Sequence, residues 1–316
     1  MILLVGNARS GTSWLGKIFD SHPDVVYRHE PDSSLPSQEF PFFLEGEAYE
    51  EHETAAAAYL EKLCDLRTIR AVGRRPHFDK NYRSQANKAL HVGLVSSLQL
   101  LAKVPVLGTM ARRANVPDLA RKSNETKCVV KSVVSLGRAG LYSRALNEGK
   151  LVFLIRHPCG VVASQIRGMK LGKLTYGAPF QTISRSAIGQ RYGLTVERLK
   201  NLPQEEALAW TWVVMNEQAL QGIQGRDNAV TVTHEALCID ALGEAKRLFE
   251  FCGLDWSDQT EAFLSPDVSS ERAPSYFDLK RESSAEVDKW KKELDGKTID
   301  VVLSILSKSS LSQFFR

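Results

Sequence analysis

A glycine-rich loop near the start of the chain constrains the fold more than any other feature. Residues 2–5 form a continuous apolar run, which is typical of a strand buried on both faces of a parallel sheet. The loop G-N-A-R-S-G occupies residues 6–11, and apolar residues then recur at helical spacing from Trp14 to Phe19. Strand, glycine loop and helix in this order open a βαβ unit, and such a loop binds anions at the N-terminus of its helix.

The loop has the spacing of a Walker phosphate-binding loop but lacks its lysine. Thr12 stands at the lysine position, so no cation there can reach the β- and γ-phosphates of a nucleoside triphosphate. Arg9, inside the loop, can hydrogen-bond an oxyanion without a metal ion. The hydroxyl groups of Ser10, Thr12 and Ser13 add further donors. The loop therefore predicts a site for a monophosphate-type anion bound without metal, and a plain tight turn is the alternative.

Strand patterns and helical patterns alternate along the rest of the chain. Further strands are predicted at residues 25–27, 127–131, 150–156 and 229–233, with helices between them. This alternation predicts an α/β fold of the P-loop type, in which a central parallel sheet is flanked by helices in three layers. Because no linker is evident, residues 1–316 are expected to form a single domain with a helical insertion at roughly 40–125. Five glycines within residues 168–193 predict a mobile loop over a site.

The composition is that of an ordinary globular protein, with 25% charged and 43% hydrophobic residues and a formal charge of +4. This mild positive charge fits a small anionic ligand and is far below that of a nucleic-acid-binding tail, so no nucleic-acid partner is expected. The seven histidines include no H-x-x-x-H pair, and the five cysteines have no metal-ligand spacing. The sequence therefore predicts that the protein binds no metal.

Cysteine usage and hydropathy bear on the compartment. An odd number of widely spaced cysteines predicts reduced, mostly buried thiols in a reducing compartment. No apolar run is long enough for a membrane span or for the core of a signal peptide. We therefore expect a cytoplasmic protein, and the alternative is a soluble catalytic fragment of a membrane-anchored enzyme.

A second anion site is expected after the strand at residues 150–156. Arg156 ends this strand, and Ser164 follows eight residues later, in a helix predicted to begin near Gly160. Parallel α/β sheets place their chemistry at the carboxyl ends of their strands, so both side chains can face one anion. A surface salt bridge is the alternative interpretation of Arg156.

Together these motifs resemble the PAPS-dependent sulfotransferase family, where PAPS is 3′-phosphoadenosine 5′-phosphosulfate. The resemblance rests on R-S-G-T-S-W at residues 9–14, H-P-D-V-V-Y at 22–27, E-P at 30–31, and L-I-R-H-P at 154–158. It is nearest the carbohydrate and protein-tyrosine branch, whose loops read R-S-G-[ST]-[ST] and are followed by H-P-[DE]-V. Similarity continues through the strand at 230–233 and F-C-G-L at 251–254, and it is weak at about 40–125 and after about 265.

The resemblance implies how the donor is bound. The 5′-phosphosulfate would be bound by Arg9, Ser10, Gly11, Thr12, Ser13 and Trp14, with the last of these near the adenine. Arg156 and Ser164 would bind the 3′-phosphate, the group that distinguishes PAPS from ATP. His234 stands where the family has the tyrosine of Y-E-D near the nucleotide, so it is assigned to the nucleotide site in an altered role. The C-terminal R-K-G of the cytosolic branch is not evident, and Arg272 or Lys280 could substitute for it.

The resemblance also implies metal-free, in-line transfer with a carboxylate general base. In the resembled branch an acid after H-P-[DE]-V takes this role, which here is Glu30. Arg9 would stabilise the leaving group, and Lys131 would stabilise the sulfuryl group. The segment K-S-V at residues 131–133 lacks the histidine base of the cytosolic branch. His29 is the alternative base.

Other interpretations of these residues stay open. Glu30 could instead pair with Arg28 or His29 at the end of its strand, and Lys131 could be a surface lysine. The whole chain could be a P-loop small-molecule kinase, or a non-catalytic nucleotide-binding protein on the same fold.

The expected activity is transfer of a sulfuryl group from PAPS to an acceptor hydroxyl of a carbohydrate or another small compound. Lipid-linked sugars, tyrosine and phenols also remain candidate acceptors, and the sequence predicts no oligomeric state. Two basic groups could line an acceptor cleft or be solvated charge: Arg74, Arg75, His77, Lys80 and Arg83 near Phe78 and Tyr82, and Lys170, Lys173, Arg185 and Arg191.

Overall fold

Residues 1–37, 39–120, 126–174, 179–265 and 287–315 are described by the structure, a computed structural model. Within these ranges, five strands form one sheet in the order β2-β3-β1-β4-β5. The strands are β1 (Ile2–Gly6), β2 (Val25–His29), β3 (Lys127–Ser132), β4 (Lys150–Ile155) and β5 (Ala229–Thr233). All four strand pairs are parallel. The prediction of a P-loop-type α/β fold with a central parallel sheet is confirmed.

The apolar strands bury both faces of the sheet, because successive side chains point to opposite sides. Leu3 and Val5 of β1 join one core cluster, and Ile2 and Leu4 join the other. All four side chains are fully buried, with at most 1% of their surface exposed. Helices therefore cover both faces, which gives the three layers expected from the sequence.

The helices of the first half are α1 (Thr12–Asp20), α2 (Ala48–Asp65), α3 (Ile69–Val72), α4 (Gln85–Leu101), α5 (Gly108–Arg113), α6 (Ala139–Ala145) and α7 (Pro158–Lys170). Those that follow are α8 (Phe180–Arg185), α9 (Ala187–Arg191), α10 (Val196–Asn201), α11 (Gln204–Ile223), α12 (His234–Ile239), α13 (Ala241–Cys252) and α14 (Asp258–Leu264). Two further helices span Trp290–Glu293 and Gly296–Leu306, and 3₁₀ turns span Pro31–Ser33, Leu136–Arg138 and Ser310–Phe314.

The segment expected to be a mobile loop over a site contains helices instead. In its described part, α8 and α9 follow the end of α7, and Ile183 and Ile188 are buried in the larger core cluster. The glycine content was misleading because Gly189 is needed where the chain packs closely against the carbonyl oxygen of Ile183. The prediction of a mobile loop is wrong for these residues.

Two cysteines are paired, which contradicts the expectation of reduced thiols. Cys64, near the end of α2, forms a disulfide with Cys128 of β3, and their Cα atoms are 6.2 Å apart. The two residues are separated by 64 positions in sequence, so only the packing of α2 beside the sheet brings them together. Cys159, Cys238 and Cys252 are buried free thiols. Stable disulfides are typical of oxidising compartments, which weighs against the predicted cytoplasmic location.

Within the described ranges, none of the helices combines the length and apolar character required to cross a bilayer.

Candidate active site

The predicted site residues lie along one edge of the sheet, where the five strands end. The strand order places β1 at the centre, with its glycine loop between the ends of β3 and β4. This edge carries Arg9 after β1, Glu30 after β2, Lys131 in β3, Arg156 after β4 and His234 after β5. Carboxyl ends of neighbouring parallel strands form the usual ligand site of such folds, so five separate stretches of sequence meet here.

The glycine loop leaves the N-terminus of α1 without a side-chain cap. Gly11 is the N-cap residue, has a φ of 94°, and its carbonyl accepts hydrogen bonds from the N–H groups of Trp14 and Leu15. The first N–H groups of a helix have no partner within it, and the helix dipole favours an anion beside them. The loop therefore has the features of an anion cradle.

The hydroxyl groups of the loop do not all face the site. Ser10 is fully buried and donates its hydroxyl hydrogen to the carbonyl of Asn7 at 2.7 Å, so it shapes the turn. Thr12 is also buried, whereas Ser13 and Trp14 are half-buried. Of the three hydroxyl groups, that of Ser13 therefore has the most access to a ligand.

Arg9, Ser164 and Arg156 form one contiguous cluster. The Nε of Arg9 donates to the Oγ of Ser164 at 3.0 Å, and the Nη1 of Arg156 donates to the carbonyl of Arg9 at 3.1 Å. The helix α7 begins at Pro158 rather than near Gly160, so Ser164 lies in its second turn. The two predicted halves of the site, which are about 150 residues apart in sequence, are in direct contact.

His234, which directly follows β5, packs against the glycine loop. A Cβ atom on Gly11 would lie 2.3 Å from the Cδ2 of His234, so the ring packs directly on the loop. Its centroid is 6.3 Å from that of Trp14, with the rings edge to face. Burial, and then the nearby Arg156, lower the pKa of His234 well below its usual value. His234 is therefore neutral at pH 7, with one ring nitrogen able to donate and the other able to accept a hydrogen bond.

Glu30 lies between two cations at the end of β2. Its N–H donates to the carbonyl of Lys131 at 2.8 Å, and its Oε1 accepts a hydrogen bond from the Nζ of the same lysine. Its Oε2 accepts from Arg70 of α3. The Nε2 of His29 is 3.8 Å from Oε1, whereas Arg28 pairs with Asp118 at 2.6 Å. Glu30 therefore pairs with Lys131 and Arg70 rather than with Arg28.

These contacts set the charge state of the cluster. Burial alone would raise the pKa of Glu30, but Lys131, His29 and the hydrogen bonds from Lys131 and Arg70 hold it at about 2. Burial and the charge of Lys131 lower the pKa of His29 to about 3. Burial lowers the pKa of Lys131, and the ion pair with Glu30 opposes this shift. At neutral pH the site thus contains an ionised Glu30, hydrogen-bonded to Lys131, beside a neutral His29.

Sequence reasoning missed Arg70 and Asp32. Arg70 lies in the weakly matching insertion, where no spacing rule connects α3 to the end of β2, so the sequence carried no signal for it. Asp32, two residues after Glu30, accepts hydrogen bonds from the hydroxyl groups of Ser132 and Ser135. Its proximity to Glu30 in sequence was a usable signal. Burial raises its pKa, and the two hydrogen bonds oppose this effect.

The basic residues proposed from the sequence to line an acceptor cleft have different environments in the structure. Lys80 is buried and donates to the carbonyls of Asp20 and His22, and Arg83 donates to the carbonyl of Asp118, so both stabilise the insertion. Arg74 is the member near the site, since its charge lowers the pKa values of His29 and Lys131. The second group is exposed to solvent: Lys170, Lys173, Arg185 and Arg191. Arg272 and Lys280 lie outside the described residues.

No group of three or more His, Cys, Asp or Glu side chains suited to hold a metal ion occurs in the described part of the chain.

A parallel sheet in this strand order, with a glycine loop after its central strand, defines a P-loop-like fold. Residues 2–258 match the model of the sulfotransferase family, and the chain belongs to this family. It is therefore a transferase with sulfotransferase activity, as the sequence motifs predicted.

Individual relatives are distant. Carbohydrate sulfotransferase 1 of mouse is 22% identical over 315 residues, covering 92% of this chain and 73% of the mouse protein. Among solved structures, the sulfotransferase domain of the olefin synthase of Synechococcus PCC 7002 is 15% identical, with a TM-score of 0.46 and coverage of 97% and 94% of the two chains. A mouse sulfotransferase complexed with PAP (3′-phosphoadenosine 5′-phosphate) is 11% identical, with a TM-score of 0.44 and coverage of 97% of this chain and 82% of the mouse chain.

Proposed function

We propose that this chain transfers the sulfuryl group of PAPS to a hydroxyl group of a carbohydrate or another small acceptor. One observation carries the proposal. The Arg9–Ser164–Arg156 cluster adjoins the glycine loop, and a partly buried Glu30–Lys131 pair lies at the same edge of the sheet. An anion site and a carboxylate–lysine pair at one edge of a sulfotransferase fold are the two parts that the reaction needs.

The residues at this edge fit PAPS. The N–H groups at the start of α1, with Arg9, suit the 5′-phosphosulfate, and Arg156 with Ser164 suits the 3′-phosphate. Trp14 is half-buried beside the neutral ring of His234 and offers a flat apolar surface for the adenine. When bound, PAPS supplies the sulfuryl group and leaves as the bisphosphate PAP.

To act as a base, Glu30 must lose its hydrogen bond to one of the two cationic side chains, Lys131 or Arg70. A carboxylate with a pKa of about 2 accepts a proton poorly at neutral pH. Arg70 is the accessible partner, because 54% of its side-chain surface is exposed against 1% for Lys131. An acceptor that engages Arg70 would release Oε2 of Glu30 to receive the hydroxyl proton. Lys131 then remains in place to stabilise charge on the transferring group.

His29 is the less suitable base. Its pKa is lowered first by burial, a cause that substrate binding does not remove, whereas the cations around Glu30 are side chains that can move. Its Nδ1 is also engaged with the hydroxyl of Tyr27 at 2.9 Å. We therefore retain Glu30 as the base.

The proposal is tested by incubating the protein with ³⁵S-labelled PAPS, excess EDTA and a panel of neutral sugars, acidic sugars, tyrosine peptides and phenols. We expect label in a sugar product. Glu30→Gln should lower turnover by about 10²–10⁴-fold, the usual effect of losing a general base, while PAP binding persists. Glu61→Gln, on the exposed face of α2, is the matched control and should retain full turnover. Full turnover of Glu30→Gln would reject the base, and no transfer to any acceptor would reject the function.

A further inference from the structure

Exposed apolar side chains are numerous on α4, α5 and the loop between them. Large apolar side chains with more than a third of their surface exposed are concentrated here among the described residues. The apolar surface of α4 and α5 is defined by Leu90, Leu94, Leu100, Leu101, Val106 and Met110. Val106 is 84% exposed and Met110 is 73% exposed. Monomeric soluble proteins rarely expose such a run of apolar side chains unless it contacts another surface.

The helical geometry of α4 explains how this surface is formed. Leu90, Leu94 and Leu101 are spaced by four and seven residues, so they lie on one stripe of the helix. A separate stripe, about 100° around the helix, carries His91 and Val95, which are buried against the rest of the insertion. The exposed stripe is therefore a second apolar face, which is unnecessary for packing α4 onto the protein.

The charged residues within the segment that carries this surface are all basic. Between Asp79 and Asp118 the sequence contains no acidic residue. Lys103, Arg112 and Arg113 are exposed next to the apolar side chains. The Nη1 of Arg112 also donates to the carbonyl of Ala102 at 2.8 Å, which ties α5 to the end of α4. Apolar side chains flanked by cations, without acids, complement the surface of an anionic lipid bilayer.

We propose that the apolar surface of α4 and α5 docks the protein onto membranes that contain anionic lipids. Leu90, Leu94 and Leu101 insert between the headgroups, and the three flanking cations contact the lipid phosphates. This surface is built from the insertion and not from the strand-end edge, so the inference does not depend on the donor or on the acceptor. Docking would bring the enzyme close to acceptors that are carried at a membrane surface.

Vesicle co-sedimentation tests the proposal with the full chain. The probes are vesicles of phosphatidylcholine alone and vesicles of an equimolar mixture of phosphatidylcholine and phosphatidylglycerol. We expect binding to the mixed vesicles that weakens as salt is raised, and at least about tenfold weaker binding to the neutral ones. The paired change Val106→Glu with Met110→Glu should lower the affinity for the mixed vesicles by at least about tenfold, because it places two acids in the contact.

Two further variants separate docking from general effects of the substitutions. Ile239→Glu alters an apolar side chain that is 76% exposed on α12, outside the proposed surface, and it should leave vesicle binding unchanged. Arg112→Gln with Arg113→Gln should weaken binding by about fivefold per arginine, since each basic residue contributes a similar electrostatic increment. Circular dichroism of every variant checks the fold.

Two results would overturn the proposal. One is equal sedimentation of the wild-type protein with neutral and mixed vesicles, or none with either. The other is a concentration-dependent dimer in light scattering that Val106→Glu with Met110→Glu dissociates, because the surface would then be covered by a second copy of the chain.

Discussion

Glu30 has a backbone conformation that few residues with a side chain adopt. Its φ of 48° and ψ of 50° lie in the left-handed region, although the following proline favours extended backbone at this position. The hydrogen bond from its N–H to Lys131 and the start of a 3₁₀ turn at Pro31 hold it there. Such conformations persist where the surroundings enforce them, and they are concentrated at functional sites.

Gly11 offers a sharp test of the anion cradle at the scale of one residue. Gly11→Ala adds a Cβ atom at a φ of 94° and 2.3 Å from the ring of His234, so both the backbone and the ring must move. We expect PAP affinity, measured by calorimetry, to fall by at least about tenfold, because the N–H groups of the loop lose their alignment.

Gly46 provides the matched control for this substitution. It also has a positive φ, of 57°, but a Cβ atom there would have no neighbour within 4 Å. Gly46→Ala should therefore cost about 1 kcal/mol of stability from the backbone alone and leave PAP binding unchanged. Equal PAP affinities for the two variants would contradict the role assigned to the loop.

At the scale of elements, the strands were the most predictable part of the molecule. Each strand contains a short apolar run that is followed by a polar or glycine residue at or just beyond its end, so all five could be predicted within one or two residues of their observed ends. Helix boundaries are harder to predict: α12 and α13 are separated only by Asp240, whose side chain caps α13 by accepting a hydrogen bond from the N–H of Gly243. A capping residue of this kind can be recognised in a sequence only where the start of a new helix is already suspected.

The site was predictable where its residues follow strands and unpredictable where the insertion contributes. Arg9, Glu30, Lys131 and Arg156 follow or end strands, and parallel strands end at a common edge. Arg70 comes from α3, whose position depends on the packing of Ala71 and its neighbours against β2. Such packing depends on tertiary structure, which a single sequence does not reveal.

The disulfide between α2 and β3 can be tested by counting reactive thiols and by measuring stability with and without reductant. A denatured, unreduced sample should show three reactive thiols and a reduced sample five, because Cys64 and Cys128 are paired. Reduction should lower the free energy of unfolding by about 2–4 kcal/mol, the usual contribution of a disulfide. The double variant Cys64→Ala, Cys128→Ala should be insensitive to reductant. Five reactive thiols without reduction would contradict the pairing.

For the whole molecule, buried histidines predict a loss of stability in mild acid. The pKa is lowered, with burial as the first cause, for six of the seven histidines: His22, His29, His77, His91, His157 and His234. The lowered values include about 4 for both His77 and His157, so the unfolded chain takes up protons below pH 6.5 while the folded protein does not. The stabilisation that comes from keeping these histidines neutral is therefore fully present above pH 6.5 and is lost as the pH falls.

Urea unfolding between pH 8 and pH 5 measures this effect. Below pH 6.5 the free energy of unfolding should fall by up to about 1.4 kcal/mol per pH unit for each such histidine. Added salt should change the slope little, because burial is the main cause of the shifts. Glu30 contributes a loss only below about pH 4.5, since its folded pKa is about 2. Equal stability at pH 7 and pH 5 would contradict the burial of these histidines.

The central claim is that the edge formed by the five strand ends binds a 3′-phosphorylated nucleotide. Calorimetric titration of PAP and AMP into the wild-type protein and Arg156→Ala, in EDTA, tests it most directly. We expect PAP to bind the wild type at least about tenfold more tightly than AMP, and Arg156→Ala to remove this preference, because a charge-assisted contact to the 3′-phosphate is lost. Equal affinities of the wild type for PAP and AMP, or binding of ATP that requires magnesium, would contradict the claim.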